Sequence, residues 1–300
     1  MGLMNDKLMK MIKTAATPDL NTRKPKIIVP PGAIDTHAHL FGPIEKYPLS
    51  QDRRYDPLDA GIHQYLAMLR VIGVDRAVVV NASAYGTDNR VILDGIETAG
   101  PNFRGIALVE PGITKPEIQQ LHQRGIRGVR ASTLAHTATG LADMEALANK
   151  IAEFRWVFLV HLQHINELPA LLPIIARLPT PCIIDNFGRI RGSDGVHNEC
   201  FRLLIKLLEK VENCWIKLAS FYRLSDVGPP GYQDMESYTR AFVETCPDRI
   251  IWGTNWPHPN LPGKIPNDGE IFDILFGWVE DEKIRRKILV ENPEKLFGFT

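Results

Sequence analysis

Ala33-Ile34-Asp35-Thr36-His37-Ala38-His39 reads as a short strand that ends in two histidines, and runs of the same kind recur seven more times along the chain. The first spans 33–38. The others span 74–80, 104–109, 125–130, 156–161, 181–186, 214–218 and 249–254. Segments of helical periodicity separate them, at 62–71, 88–98, 115–124, 141–154, 165–177, 199–211 and 235–246, and a last one at 281–296 closes the chain. Strands alternating with helices argue for βαβ units and a parallel sheet. Eight of each favour a closed (β/α)8 TIM barrel, an α/β fold, over an open doubly wound sheet, which needs fewer strands and a glycine-rich first turn. No GxGxxG or GxxxxGK stretch is present, so nothing points to a nucleotide.

The composition agrees with one large core. Three hundred residues with 44% hydrophobic content suffice for a single barrel domain, expected over 31–300 behind a polar, proline-bearing N-terminal arm over 1–30. Thirty-five basic residues balance thirty-five acidic ones. That neutrality offers no bulk attraction for nucleic acid or an anionic membrane, so affinity for an anion has to be local. Cys182, Cys200, Cys214 and Cys246 form no CxxC pair and read as small buried hydrophobes in a reducing, cytoplasmic setting. The first twenty residues lack the apolar stretch of a signal peptide, and no run is long enough for a membrane span. Oligomeric state is not legible.

In a barrel of this kind the C-terminal strand ends build the active site. His37 and His39 alternate on one strand and so share a face, where two imidazoles can polarise one carbonyl oxygen or hold a metal. The eighth strand runs into Trp252-Gly253-Thr254-Asn255-Trp256-Pro257-His258-Pro259, an aromatic and proline-rich rim.

Six stretches carry a family resemblance: PPGAIDTHAHLFGP (30–43), NASAYGTDN (81–89), GIRGVR (125–130), IIDNFGR (183–189), WGTNWPHPN (252–260) and ENPEKLFGF (291–299). Together they resemble the amidohydrolase-related branch that contains 2-pyrone-4,6-dicarboxylate hydrolase and D-galactarolactone isomerase. The resemblance implies a barrel that acts on a small anionic lactone or dicarboxylate. It implies that His37 and His39 lie at the reacting carbonyl without a required metal, and that Tyr55, Ser83, Arg130 and Arg223 grip the acidic groups. Guanidinium forks suit carboxylates.

Two positions depart from the hydrolase pattern: Asn186 stands where it has histidine and Asn255 where it has aspartate. An amide is not basic near neutral pH, so the general base has to be sought among His161, His258 and Asp185. No metal is the favoured reading; if zinc is held, the remaining ligands are His37, His39 and His161. The isomerase shares the asparagine form of the last motif but lacks the first histidine. The leading expectation is therefore a lactone-opening hydrolase. An intramolecular lactone isomerase is the alternative, and a catalytically silent metabolite-binding barrel is the reading from another class.

Overall fold

A computed structural model describes residues 13–14, 18–133, 140, 143–261 and 263–299. Eight parallel strands follow one another around a barrel: β1 Ile34–Ala38, β2 Arg76–Val80, β3 Phe103–Ala107, β4 Ile126–Ser132, β5 Val157–His161, β6 Cys182–Ile184, β7 Cys214–Leu218 and β8 Ile250–Trp252. Each lies within a few residues of its expected position. Their near-continuous apolar character reflects burial on both faces, as parallel sheets require.

The helices α1 Ile62–Ile72, α2 Arg90–Ala99, α3 Lys115–Gln123, α4 Met144–Ala152, α5 Leu168–Ile175, α6 Glu199–Lys210 and α7 Glu236–Thr245 wrap the outside. A further helix after β8, α8 Asp268–Gly277, was not anticipated from the sequence. Its signals are an Asn267 side chain that accepts from Gly269 N, and buried Ile271, Phe272, Leu275 and Phe276 along one face. The expected final helix is broken into α9 Glu282–Arg286, a π-helical turn over Lys287–Glu291 and α10 Asn292–Phe297.

Two apolar clusters fill the molecule. The larger lies between the sheet and the helical shell, while Ile34, Val78, Val80, Ile106, Val157, Leu159, Ile183, Trp215 and Ile251 form the smaller one with Leu296, Phe297 and Phe299 of the C-terminus. Half of the arm expected over 1–30 falls outside the described residues. Its last part runs along α8: Arg23 N donates to Asn267 Oδ1 at 2.9 Å, and Lys26 N and Ile27 N both donate to Asp273 Oδ1 at 2.9 Å. Lys13–Thr14 pairs in parallel with Tyr55–Asp56 outside the barrel. Among the described residues no helix is long and apolar enough to cross a membrane.

The barrel closes between β1 and the segment that follows β8. Asn255 N donates to His37 O and His39 N to Trp256 O, both at 2.7 Å. The two backbones approach so closely that a Cβ on Gly253 would lie 2.5 Å from His37 Cβ, which only glycine avoids. Asp35 clamps this seam. Its fully buried carboxylate accepts from His37 N (3.0 Å), Thr254 N (3.0 Å), Thr254 Oγ1 (2.6 Å) and Tyr65 Oη of α1 (2.8 Å). Burial raises its pKa to about 6, even against those four bonds.

Asp35→Asn would set an amide N–H₂ against groups that are themselves donors. We expect it to lower the unfolding free energy by about 2–4 kcal/mol in urea titrations. A change below about 0.5 kcal/mol, the level of an ordinary surface substitution, would remove Asp35 as the clamp.

Candidate active site

At the C-terminal mouth of the barrel lies a cavity of about 260 Å³, lined by strand ends and the loops that follow them. It gathers nine of the eleven residues singled out in the sequence: His37, His39, Tyr55, Ser83, Arg130, His161, Asn186, Arg223 and Asn255, while Asp185 is not part of the lining. His258 does not line it. That ring is fully buried behind the wall, with Nδ1 2.5 Å from Tyr222 Oη and Nε2 3.1 Å from Asp268 Oδ1. Tyr222 Oη in turn accepts from Asn255 Nδ2 at 3.0 Å, which leaves the Asn255 carbonyl oxygen as the acceptor of that side chain.

At the cavity floor the two imidazoles meet edge to face, with His37 Nε2 3.2 Å from His39 Nε2. His39 Nδ1 lies 2.8 Å from the carbonyl oxygen of Val80 at the end of β2. On the far side of His37, Nδ1 faces Asp185 Oδ1 at 3.2 Å and Lys217 Nζ at 3.4 Å. Lys217, a fully buried cation on β7, also donates to Thr36 O at 2.8 Å. Burial pulls it down to about 8, against the opposing pull of Asp185 and Asp35.

Charge is arranged unevenly here. Burial lowers the His37 pKa to about 4 and drives His39 and His161 well below the ordinary range, so all three imidazoles are neutral at pH 7. Burial works to raise Asp185, but His37, Lys217 and Arg130 outweigh it and hold the carboxyl far below its usual value. Arg130 Nη2 is 3.8 Å from Asp185 Oδ2. Arg54, Arg130, Arg189 and Arg223 line the cavity, and Arg223 donates to the backbone carbonyls of Pro259 (2.6 Å) and Asn260 (3.1 Å). Among the described residues the lining thus carries four guanidinium groups and no carboxylate. Arg130 Nε and Asn186 Oδ1 are buried without a hydrogen-bond partner. Such groups are costly unless a ligand or water meets them.

The backbone is unusual in the same place. Nine non-glycine residues among those described have positive φ, and five of them, Asn186, Arg189, Ser220, Asn255 and Asn260, line the cavity. Strain of this kind concentrates where side-chain aim matters. Sequence reasoning missed Arg54, Gln163, Arg189, Ser220 and Asn260. Arg189 sat within the quoted IIDNFGR stretch, and a lysine inside the apolar run Cys214-Trp215-Ile216-Lys217-Leu218 was a visible signal for the buried cation.

Among the described residues no three His, Cys, Asp or Glu side chains have metal-binding spacing. His161 Nδ1 is turned to Ser132 Oγ at 3.3 Å, and Asp185 stands on the Nδ1 side of His37. The floor itself thus presents two Nε2 atoms, and the third protein ligand usual in a catalytic zinc site would have to be His161 through its Nε2.

The neutral imidazoles predict a pH dependence of stability. In the unfolded chain a histidine takes up its proton near 6.5, whereas buried His161 does so only well below that. The unfolded state thus binds more protons as pH falls, and stability present above 6.5 is lost on acidification. Asp35 acts in the opposite sense between about 6 and 3.8. His161→Gln is expected to flatten the fall in urea midpoint between roughly pH 6.5 and 4.5 relative to the parent chain. Parallel curves would mean that the ring is not held neutral in the fold.

The amidohydrolase family profile matches residues 34–299. The chain is 36% identical over 286 residues to 2-pyrone-4,6-dicarboxylate hydrolase of Comamonas testosteroni, covering 92% of this chain and 93% of that protein. It is 35% identical to 4-sulfomuconolactone hydrolase of Hydrogenophaga intermedia, with 91% of each covered. At 28% identity it is also similar to D-galactarolactone isomerase of Agrobacterium fabrum, with 93% and 95% covered. Among solved structures, a probable 2-pyrone-4,6-dicarboxylic acid hydrolase from Acinetobacter baumannii, holding citric acid, superposes with a TM-score of 0.80 at 28% identity, covering 89% of this chain and 100% of that one. With a family match that spans its whole barrel, and relatives of this similarity over nearly their full length, the chain belongs to the amidohydrolase family.

Proposed function

We propose that this protein opens a small lactone bearing acidic groups, by attack of water at a carbonyl held over His37 and His39. The observation that carries the reading is a small cavity with a neutral imidazole pair at its floor and four guanidinium groups around it. Neutral donors at a developing oxyanion, away from bulk water, are worth several kcal/mol in such reactions. The surrounding cations select for anionic substrates and orient them. Arg130 and Arg223, with Ser83 and Tyr55, are the groups assigned to the acidic substituents. Asn186 and Arg189 extend that set. The related hydrolases act, by their names, on a pyrone dicarboxylate and a sulfonated muconolactone. A lactone with two acidic groups is the corresponding substrate class here. A cytoplasmic location fits a metabolite of that kind.

Asn255 is assigned to hold the nucleophile through its side-chain oxygen, because its N–H₂ group is engaged by Tyr222. Neither His258 nor Asp185 serves as the base in this scheme. Both ring nitrogens of His258 are engaged behind the wall, and Asp185 is an ion-paired carboxylate with very low basicity.

One observation favours a second reading, an intramolecular isomerase. Asn255 carries an amide rather than a carboxylate, and a related D-galactarolactone isomerase exists. Reaction in ¹⁸O-water separates the two. Hydrolysis places label in the carboxylate of the product, whereas an isomerised lactone remains unlabelled. Ring migration without label would replace the hydrolase reading.

Arg130→Gln removes a buried fork donor and should raise KM for a dianionic lactone by about 10²-fold, with a smaller effect on a monoanionic analogue. Equal losses on both substrates would detach Arg130 from the acidic group.

A further inference from the structure

We propose that the paired imidazoles have opposite, fixed roles: His39 is the general base that takes the proton of the attacking hydroxyl, and His37 is the donor that receives the oxyanion. The inference rests on the reading that a lactone carbonyl lies over this pair, and it supplies the base which Asn255 cannot be.

A carbonyl oxygen only accepts, so the 2.8 Å contact between His39 Nδ1 and Val80 O requires the proton on Nδ1. The Nε2 atom of neutral His39 is then a lone pair. His37 Nε2 faces that lone pair at 3.2 Å, and only an N–H there makes the contact favourable. The other neutral tautomer of His37 would bring two lone pairs together. His37 Nδ1 is consequently unprotonated, which agrees with the Lys217 ammonium standing 3.4 Å from it. Asp185 Oδ1, 3.2 Å from the same nitrogen but poorly directed for a hydrogen bond, works against this tautomer, and the Lys217 ammonium offsets it. Burial works against the doubly protonated ring.

At rest, then, the His37 Nε2–H donates to the His39 Nε2 lone pair, and neither group is left unpaired in a buried place. Substrate binding divides the pair. The carbonyl oxygen takes the donor, and the nucleophile's O–H takes the acceptor. As the hydroxyl oxygen bonds to the carbonyl carbon, its proton passes to His39 Nε2 and the π pair moves onto the carbonyl oxygen, where His37 Nε2–H receives it. Re-formation of C=O then breaks the ring C–O bond, and the departing oxygen recovers the proton from His39. Water and lactone thereby give the open hydroxy acid, with no other reactant. Asp185 and Arg130 face the pair and partly cancel, so the transient cation on His39 is balanced mainly by the oxyanion beside it. His161 differs from His39 in this respect: its Nδ1 faces the Ser132 hydroxyl, which both donates and accepts, so no tautomer is imposed.

The tautomers are readable without substrate. In long-range ¹H–¹⁵N spectra of the full chain, assigned with His39→Asn and His37→Gln, His39 should carry its proton on Nδ1 and His37 on Nε2. A proton on His39 Nε2 overturns the proposal whatever the substrate proves to be. In turnover, His39→Asn keeps a donor for Val80 but removes the basic nitrogen; kcat should fall by about 10²–10⁴-fold while citrate, used as a tricarboxylate probe, binds within about threefold of the parent. His39→Gly should be rescued by added imidazoles and amines at rates that rise with their basicity. Rescue independent of basicity, or basicity-dependent rescue of His161→Gly instead, would reassign the base. Failure of the parent chain to open any acidic lactone would remove the proposed function and leave the tautomer measurement standing by itself.

Discussion

One buried carboxylate holds the working end of this barrel together. Asp35 receives four hydrogen bonds from three segments: its own strand through His37 N, α1 through Tyr65, and the stretch after β8 through both polar groups of Thr254. Without it, the join between the first and last strands rests on two backbone hydrogen bonds, the Thr36 hydroxyl donated to Trp252 O and the close approach at Gly253. The same join carries His37 and His39 on one side and Asn255 on the other. Closing the barrel and positioning the reactive groups are thus one structural event. A clamp of charged hydrogen bonds in a dry place is stiff, and stiffness is what groups that must meet a carbonyl within tenths of an ångström need.

Around that seam the electrostatics separate into two zones. The floor is uncharged in its imidazoles because burial disfavours their cations, and the buried Asp185 and Lys217 largely neutralise one another beneath them. The walls carry guanidinium groups, of which Arg223 is held by two backbone carbonyls. A chain with no net charge can attract an anion in this way, since a local field in a low-dielectric cleft does not depend on the total. The chemistry assigned to the site follows the same division, with neutral groups meeting the carbonyl and fixed cations meeting the acidic substituents.

The eight strands were legible because each is short, apolar and β-branched, and because parallel strands buried on both sides leave few alternatives. Most of the helices followed from their periodicity. The helix at Asp268–Gly277 was not legible because it lies among prolines and glycines, where loop signals dominate and a single asparagine cap is easily overlooked. Site residues at strand ends could be named in advance, since the barrel itself dictates where strand ends point. Ser220 and Asn260 could not, as they reach the cavity through left-handed backbone, and Arg54 comes from a long loop after the first strand. His258 illustrates the opposite error. Its place in a recognisable motif suggested the cavity, but positive φ turns the ring inward onto Tyr222 and Asp268.

By itself the sequence determined the barrel, the placing of His37 and His39 on one strand end, and the amide in place of a carboxylate at position 255. Those follow from residue type and period, which are local properties. Only the tertiary structure decided which nitrogen of each imidazole carries a proton, because that depends on Val80 of the next strand and Lys217 from across the barrel. It alone also decided that Asp185 is held as a compensated anion rather than a base. Protonation states are set by neighbours that are distant in the chain and close in space, and no pattern along one segment encodes them.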